Sequence, residues 1–222
     1  MKSHRNLKIR ILSFCLSLCL ILAVFLFLSC SESSANILSV NASVVFDYKD
    51  EKSLPETSLS VFVQGEYEAQ RADFLKITKI EENYSWNVYS PVIFESQNKN
   101  WIGYPSLRAA EGKAIKNGEY EVLYADAAGN ESEEKFFIKY NEEILKSKPE
   151  NVRKATGINL SEVVILFDKN MNMLFYGTAK RAWKKNSDIL KEYSRAFFKR
   201  RILTDASGTV VIKLPLENLI EK

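Results

Sequence analysis

From Val40 to Tyr140 apolar residues recur at every second position, and this period constrains the chain more than any other feature. Val40, Ala42, Val44, Phe46 and Tyr48 alternate with small or polar neighbours, as do Leu59, Val61 and Val63. Tyr84, Trp86 and Val88 follow, then Tyr120, Val122 and Tyr124, then Phe136, Ile138 and Tyr140. A period of two sends successive side chains to opposite faces of an extended strand, so each segment reads as a half-buried strand. Turn residues separate the segments and no long helical pattern intervenes, which predicts an antiparallel β-sandwich. In such a fold Trp86 is expected inside. Trp101 is expected there too, although with Tyr104 it also suits an aromatic platform for a sugar ring.

The segment KNGEYEVLYADAAGNESEEKFFIKY, residues 116–140, resembles the last two strands of immunoglobulin-like and fibronectin-type-III-like domains on bacterial surface proteins. In the resemblance, Gly118 opens a strand and Tyr120 is the corner tyrosine whose hydroxyl bonds to upstream backbone. Asp126 to Asn130 then form the hairpin loop, with Gly129 supplying a positive φ. The resemblance speaks to fold and not to activity, because such sandwiches host many roles.

Composition shifts near residue 142. KSKPENVRKATG places Pro149 near the start and Gly157 just past the end of a short linking helix. Val163–Phe167 and Met171–Tyr176 read as a hairpin around Asp168-Lys169-Asn170. Residues 186–201 read as a basic amphipathic helix with Ile189, Leu190, Tyr193, Ala196 and Phe197 on one face. Residues 209–214 read as a last strand ended by Pro215. The expected fold is therefore mainly β: an immunoglobulin-like sandwich over residues 39–141, then a small α/β region over 142–222 made of hairpin, basic helix and strand.

Upstream, Lys2, Arg5, Lys8 and Arg10 precede an apolar run over residues 11–28, and Ser29-Cys30 ends it. A positive head, an apolar middle and a small residue at the break form an export signal, here residues 1–29. Phe27-Leu28-Ser29-Cys30 resembles the lipobox of bacterial lipoproteins, with Phe27 where the usual box has Leu, Val or Ile, as in the relaxed boxes of spirochaetes. The resemblance implies a diacylglyceryl group on the Cys30 thiol, a bacterial envelope location, and a polar tether over residues 30–38. A run this long also suits an uncleaved transmembrane anchor of an accessory subunit, the other reading of the same residues.

With processing at Cys30, no further cysteine remains, and the only histidine, His4, lies in the signal. Ser-His-Asp and Cys-His catalysis, thiolate or imidazole metal sites and disulfides are then excluded, and no cofactor is expected. The chain from Cys30 onward carries 27 basic and 28 acidic residues, which gives no pull toward nucleic acid. The charges are polarised, however. Residues 30–150 hold 13 basic and 21 acidic side chains, whereas residues 151–222 hold 14 basic and 7 acidic.

The positive charge is densest between Lys180 and Arg201, and Lys184, Lys185, Lys191, Arg195, Lys199 and Arg200 are the candidate binding residues. On a lipid-anchored protein they suit anionic headgroups, an acidic envelope protein or the chain's own sandwich. A solvated helix face accounts for them equally well. Asp168-x-Asn170-x-Asn172 opens like a calcium loop but has Met173 at the glycine position and Ala179 at the glutamate position, so a hairpin turn explains it better. Ser96-x-x-Lys99 matches a penicillin-binding nucleophile motif without its partner motifs. The expected role is a binding or scaffolding lipoprotein rather than an enzyme. The alternative is a carboxylate-based glycan-acting enzyme using pairs such as Glu66/Glu68 or Glu81/Glu82.

Overall fold

The computed structural model describes residues 36–65, 72–110 and 112–220. The export signal, Cys30, most of the tether and the Glu66/Glu68 pair lie outside the described residues.

Among the described residues twelve strands build two sheets. Chain order runs β1 (Ile37–Asp47), β2 (Glu56–Gly65), β3 (Ala72–Lys79), β4 (Tyr84–Tyr89), β5 (Val92–Ser96), β6 (Lys99–Leu107), β7 (Gly118–Asp126) and β8 (Glu131–Ile138). The chain continues through helix α1 (Val152–Thr156), β9 (Ser161–Phe167), β10 (Met173–Gly177), helix α2 (Asn186–Glu192), β11 (Phe198–Thr204) and β12 (Val210–Asn218). The smaller sheet is antiparallel, in the order β4-β3-β7-β8. The larger one, a curled half-barrel, runs β10-β9-β11-β12-β1-β2-β6-β5, and its one parallel pairing joins β1 to β12.

The period-two pattern sets which residues meet. Val44 and Phe46 of β1, Leu59, Val61 and Val63 of β2, Leu75 and Ile77 of β3, and Tyr120 and Val122 of β7 all enter one core. Trp86 packs against that core, half-buried. Leu203, Val210, Ile212 and Leu214 join it from β11 and β12, so the C-terminal strands extend the sheet of β1 and share its core. A second, smaller cluster gathers Val164, Leu166, Ile189, Ala196 and Leu219 where α2 covers β9 and β10. Phe175 sits at its centre, edge-on to Trp183 at 5.1 Å and tilted against Tyr193 at 5.6 Å.

Three expectations need correction. The basic helix stops at Glu192, and residues 198–204 form β11. Apolar residues at helical spacing run through residues 189–197, but beyond Ala196 the alternation of a strand takes over. Phe198, Arg200 and Ile202 face one way, and Lys199, Arg201 and Leu203 the other. The last strand runs past Pro215, which occupies a bulge: β11 advances from Arg200 to Ile202 while β12 goes from Leu216 back to Lys213. A residue without an N–H fits such a position. Trp101 lies outside the core, because Ile102 takes the inward position and parity sends Trp101 to the opposite face, paired with Phe94. Ser96 and Lys99 are register partners flanking a two-residue turn in which Gln97 and Asn98 both have positive φ, so the tetrapeptide is a hairpin.

The linking segment forms as read, with Pro149 opening a 3-10 turn that leads into α1 and Gly157 closing it at φ +67°. No helix among the described residues is long and apolar enough to cross a membrane.

Candidate docking surface

Register fixes where the basic residues sit relative to the tether. β1 starts at Ile37, and its partner β12 is level with it at Asp47↔Lys213 and runs on to Asn218. Asn218 pairs with Phe198, and Phe198 with Phe167, so the β9–β10 loop lies beyond that level. Ten steps along β1 and five along β12 separate the tether's entry from this pole, about 50 Å along the strands. The seven residues from Cys30 to Ile37 reach at most about 25 Å.

At the pole the β9–β10 loop is built on Asp168. One carboxylate oxygen accepts the backbone N–H groups of Asn170 at 2.8 Å and Asn172 at 2.9 Å, and the other accepts the Asn172 side-chain amide at 2.9 Å. The Asn172 amide does most to hold the Asp168 carboxyl below the usual range, and the Arg195 guanidinium contributes. The carboxylate's oxygens are thus committed to the turn, and no group of three or more potential metal ligands occurs among the described residues. Met171 holds the loop's left-handed position, φ +65°, with its side chain 49% exposed. Met173 and Tyr176, on edge strand β10, are each 63% exposed.

Beside the loop a cleft of about 350 Å³ opens between Asp168, Lys169 and Asn170 on one side and Ser194 to Phe197 with Ile220 on the other. Its apolar floor of Ala196, Phe197 and Ile220 is rimmed by Lys169 and Arg195. Both cations are exposed and neither has an ion-pair partner among the described residues.

The six expected cations divide. Lys184, Lys185, Lys191 and Arg195 are exposed, with Arg195 at the pole's cleft; among the described residues Lys191 has only a long contact to Asp188, 3.9 Å away on the same helix. Asp188 meanwhile accepts the backbone N–H groups of Lys184 and Lys185 at 3.1 and 3.2 Å, closing the start of α2. Lys199 and Arg200 belong to β11 and are not free. Lys199 pairs with Glu217 at 2.8 Å, and Arg201 bonds the same carboxylate at 2.9 Å. Arg200 reaches across β12 to Asp47 and donates to the Leu214 carbonyl at 2.9 Å, tying β11 to β1. Lys180 pairs with Glu192, which raises the ammonium's pKa and lowers the carboxyl's, and lies over the rings of Trp183 and Tyr193.

The four residues read as structural mark the two ends of β7: Gly118 and Tyr120 its start, Asp126 and Gly129 the loop that closes it. The Tyr120 hydroxyl donates to the Lys116 carbonyl at 2.7 Å, and burial pushes its pKa above the ordinary range. Gly118 has φ +129°, and a Cβ there would collide with the Lys79 ammonium. Asp126 accepts from Ala128, Asn130 and the Asn130 side chain, with Gly129 at φ +84°. The acid pair Glu81/Glu82 is engaged by lysines: Glu81 with Lys79, and Glu82 with Lys116 at 2.9 Å.

Sequence reasoning missed Lys169, Met171 and Ile220. A signal for Met171 existed, because it occupies the position that Gly129 holds in the matching loop. Ile220 carried none, since its place beside Arg195 follows from the β11–β12 pairing. Compared with known proteins, the chain matches no family model, no curated protein and no solved structure.

Proposed function

We propose that this chain is a bacterial envelope lipoprotein, acylated at Cys30, that holds an immunoglobulin-like sandwich off a bilayer and works by docking. Strand order supports the sandwich reading: β1-β2-β6-β5 against β4-β3-β7-β8 is the connectivity of an eight-stranded immunoglobulin-like domain, and β9 to β12 add to its first strand. The partner is an acidic protein surface reached by the pole. The observation that carries this is the cleft where exposed Ile220 stands with Lys169 and Arg195, two cations without an ion-pair partner among the described residues, while exposed Met171 follows in the same loop. An apolar centre with a charged rim is the anatomy of a protein interface, in which Met, Tyr and Arg are enriched.

Two measurements test the reading. Labelled palmitate should mark the native protein and not Cys30→Ala. A photo-crosslinking residue at position 171 should give one discrete protein adduct in cells, lost in Lys169→Glu/Arg195→Glu. The same residue at position 38, by the tether, should not. Phosphatidylglycerol vesicles that bind the full chain more tightly than phosphatidylcholine vesicles, in a manner abolished by the same charge reversals, would assign the pole to a membrane instead.

A further inference from the structure

A second cleft, of about 260 Å³, opens between the Ile80–Glu82 turn with the start of β4 on one side and Ala109, Ala110 and Lys113 to Lys116 on the other. Its lining includes Lys79, Glu82, Tyr84, Trp86, Lys113 and Lys116. Lys79 is only 3% exposed, with its ammonium 5.1 Å from the centre of the Tyr120 ring, beside Gly118 and paired with Glu81. An ammonium has three protons to donate, and one carboxylate does not exhaust them. The absent Cβ of Gly118 is what leaves room for it.

The aromatic wall is fixed in place. The Trp86 indole N–H donates to the Arg108 carbonyl at 2.7 Å, and its ring stacks toward Tyr120, which stacks on Phe136 at 5.5 Å. Tyr84 stands edge-on to Trp86 at 4.9 Å and is exposed. At the rim, Lys113 is exposed with no ion-pair partner among the described residues, and Lys116 is tied to Glu82. Beyond Trp86 a further cleft of about 400 Å³ shares that residue and adds Asn87, Tyr89, Tyr104, Ser106 and Arg108.

We propose that the cleft bounded by Tyr84, Trp86 and the Lys79, Lys113 and Lys116 ammoniums binds a carboxylated sugar of an acidic glycan. A pyranose has an apolar C–H face that suits a rigid aromatic wall, with ring hydroxyls for Glu82 and a carboxylate for the rim lysines. The adjoining cleft gives the next sugar a place, with Asn87 and Ser106 as hydroxyl partners. The site is independent of the pole and goes beyond docking to a protein.

Titration calorimetry on the full chain in detergent, with trigalacturonate, maltotriose and benzoate, tests it. Trigalacturonate should bind saturably and more weakly as salt rises, with maltotriose about tenfold weaker or worse. Lys113→Ala and Tyr84→Ala should each weaken trigalacturonate about tenfold with an unchanged unfolding midpoint, and Lys113→Arg should restore binding. The proposal is overturned by no saturable binding of trigalacturonate, by variants that bind it like the native chain, or by benzoate binding as tightly as the sugar acid.

Discussion

Two hairpin loops of this chain share one plan and differ at one position. In residues 126–130 and in residues 168–172 an aspartate opens the loop and accepts the backbone N–H groups two and four residues on. An asparagine closes each loop with its side-chain amide on the same carboxylate. The fourth residue is left-handed in both: Gly129 in one, Met171 in the other. Glycine adopts that conformation freely, whereas a long side chain is disfavoured by about 1–2 kcal/mol. The first loop satisfies the fold at every position. The second keeps a residue that its backbone opposes and that is half exposed, at the pole where the cleft and the free cations lie. Strain held where nothing structural requires it points to a task outside the fold.

The largest expected effect separates the two aspartates. Asp126 is 8% exposed. Asp126→Ala leaves two loop N–H groups without their acceptor and should cost about 2–3 kcal/mol in urea unfolding. Asp168→Ala removes the same bonds where water can replace them and should cost clearly less. Equal losses would mean that burial does not distinguish the loops. Next in size is Gly129→Met, which imposes on the first loop the strain of the second and should destabilise by about 1–2 kcal/mol. A neutral result would remove the ground for calling Met171 strained.

A smaller effect appears with acid. The Asp168 carboxyl is held below its ordinary pKa of 3.8, chiefly by the Asn172 side-chain amide. A depressed folded-state pKa means a contribution complete above the unfolded value and lost as pH falls through the folded one. The β9–β10 loop should therefore loosen only below about pH 4. Amide exchange at Asn170 and Asn172, followed across that range, should rise in the native chain. In Asp168→Asn it should stay flat, and a matching rise there would put the titrating group elsewhere.

What was legible in the sequence followed the range of the interaction. Period two and turn chemistry act within ten residues, and they marked β1, β2, β4, β7 and β8, the corner tyrosine and the hairpins at residues 126–130 and 168–172, but not β3, β5 or β6. The pairing of β1 with β12 joins residues more than 160 positions apart, and no local pattern announces it. The basic segment was misread for the same reason. Ile189, Leu190 and Tyr193 satisfy a helix, but the partner that makes Lys199 and Arg201 strand residues is Glu217, on a strand not yet formed when the segment is read alone. The docking cleft inherits this limit, since Lys169, Arg195 and Ile220 meet only through the sheet.

The smallest effect is also the most discriminating. Met171→Gly relieves the left-handed strain, and glycine's freer unfolded chain takes back part of that relief, so a net gain of about 0.5–1 kcal/mol is expected. Any core variant that weakens docking would do so while lowering stability, and the two losses could not be told apart. Here they run in opposite directions. The unfolding midpoint should rise while the crosslinked adduct at the pole, read from a probe at Ser194 so that position 171 is free to vary, should fall. A midpoint that does not rise removes the strain. A midpoint that rises with the adduct undiminished leaves the strain real but gives Met171 no part in docking, and the pole would then act through its cations alone.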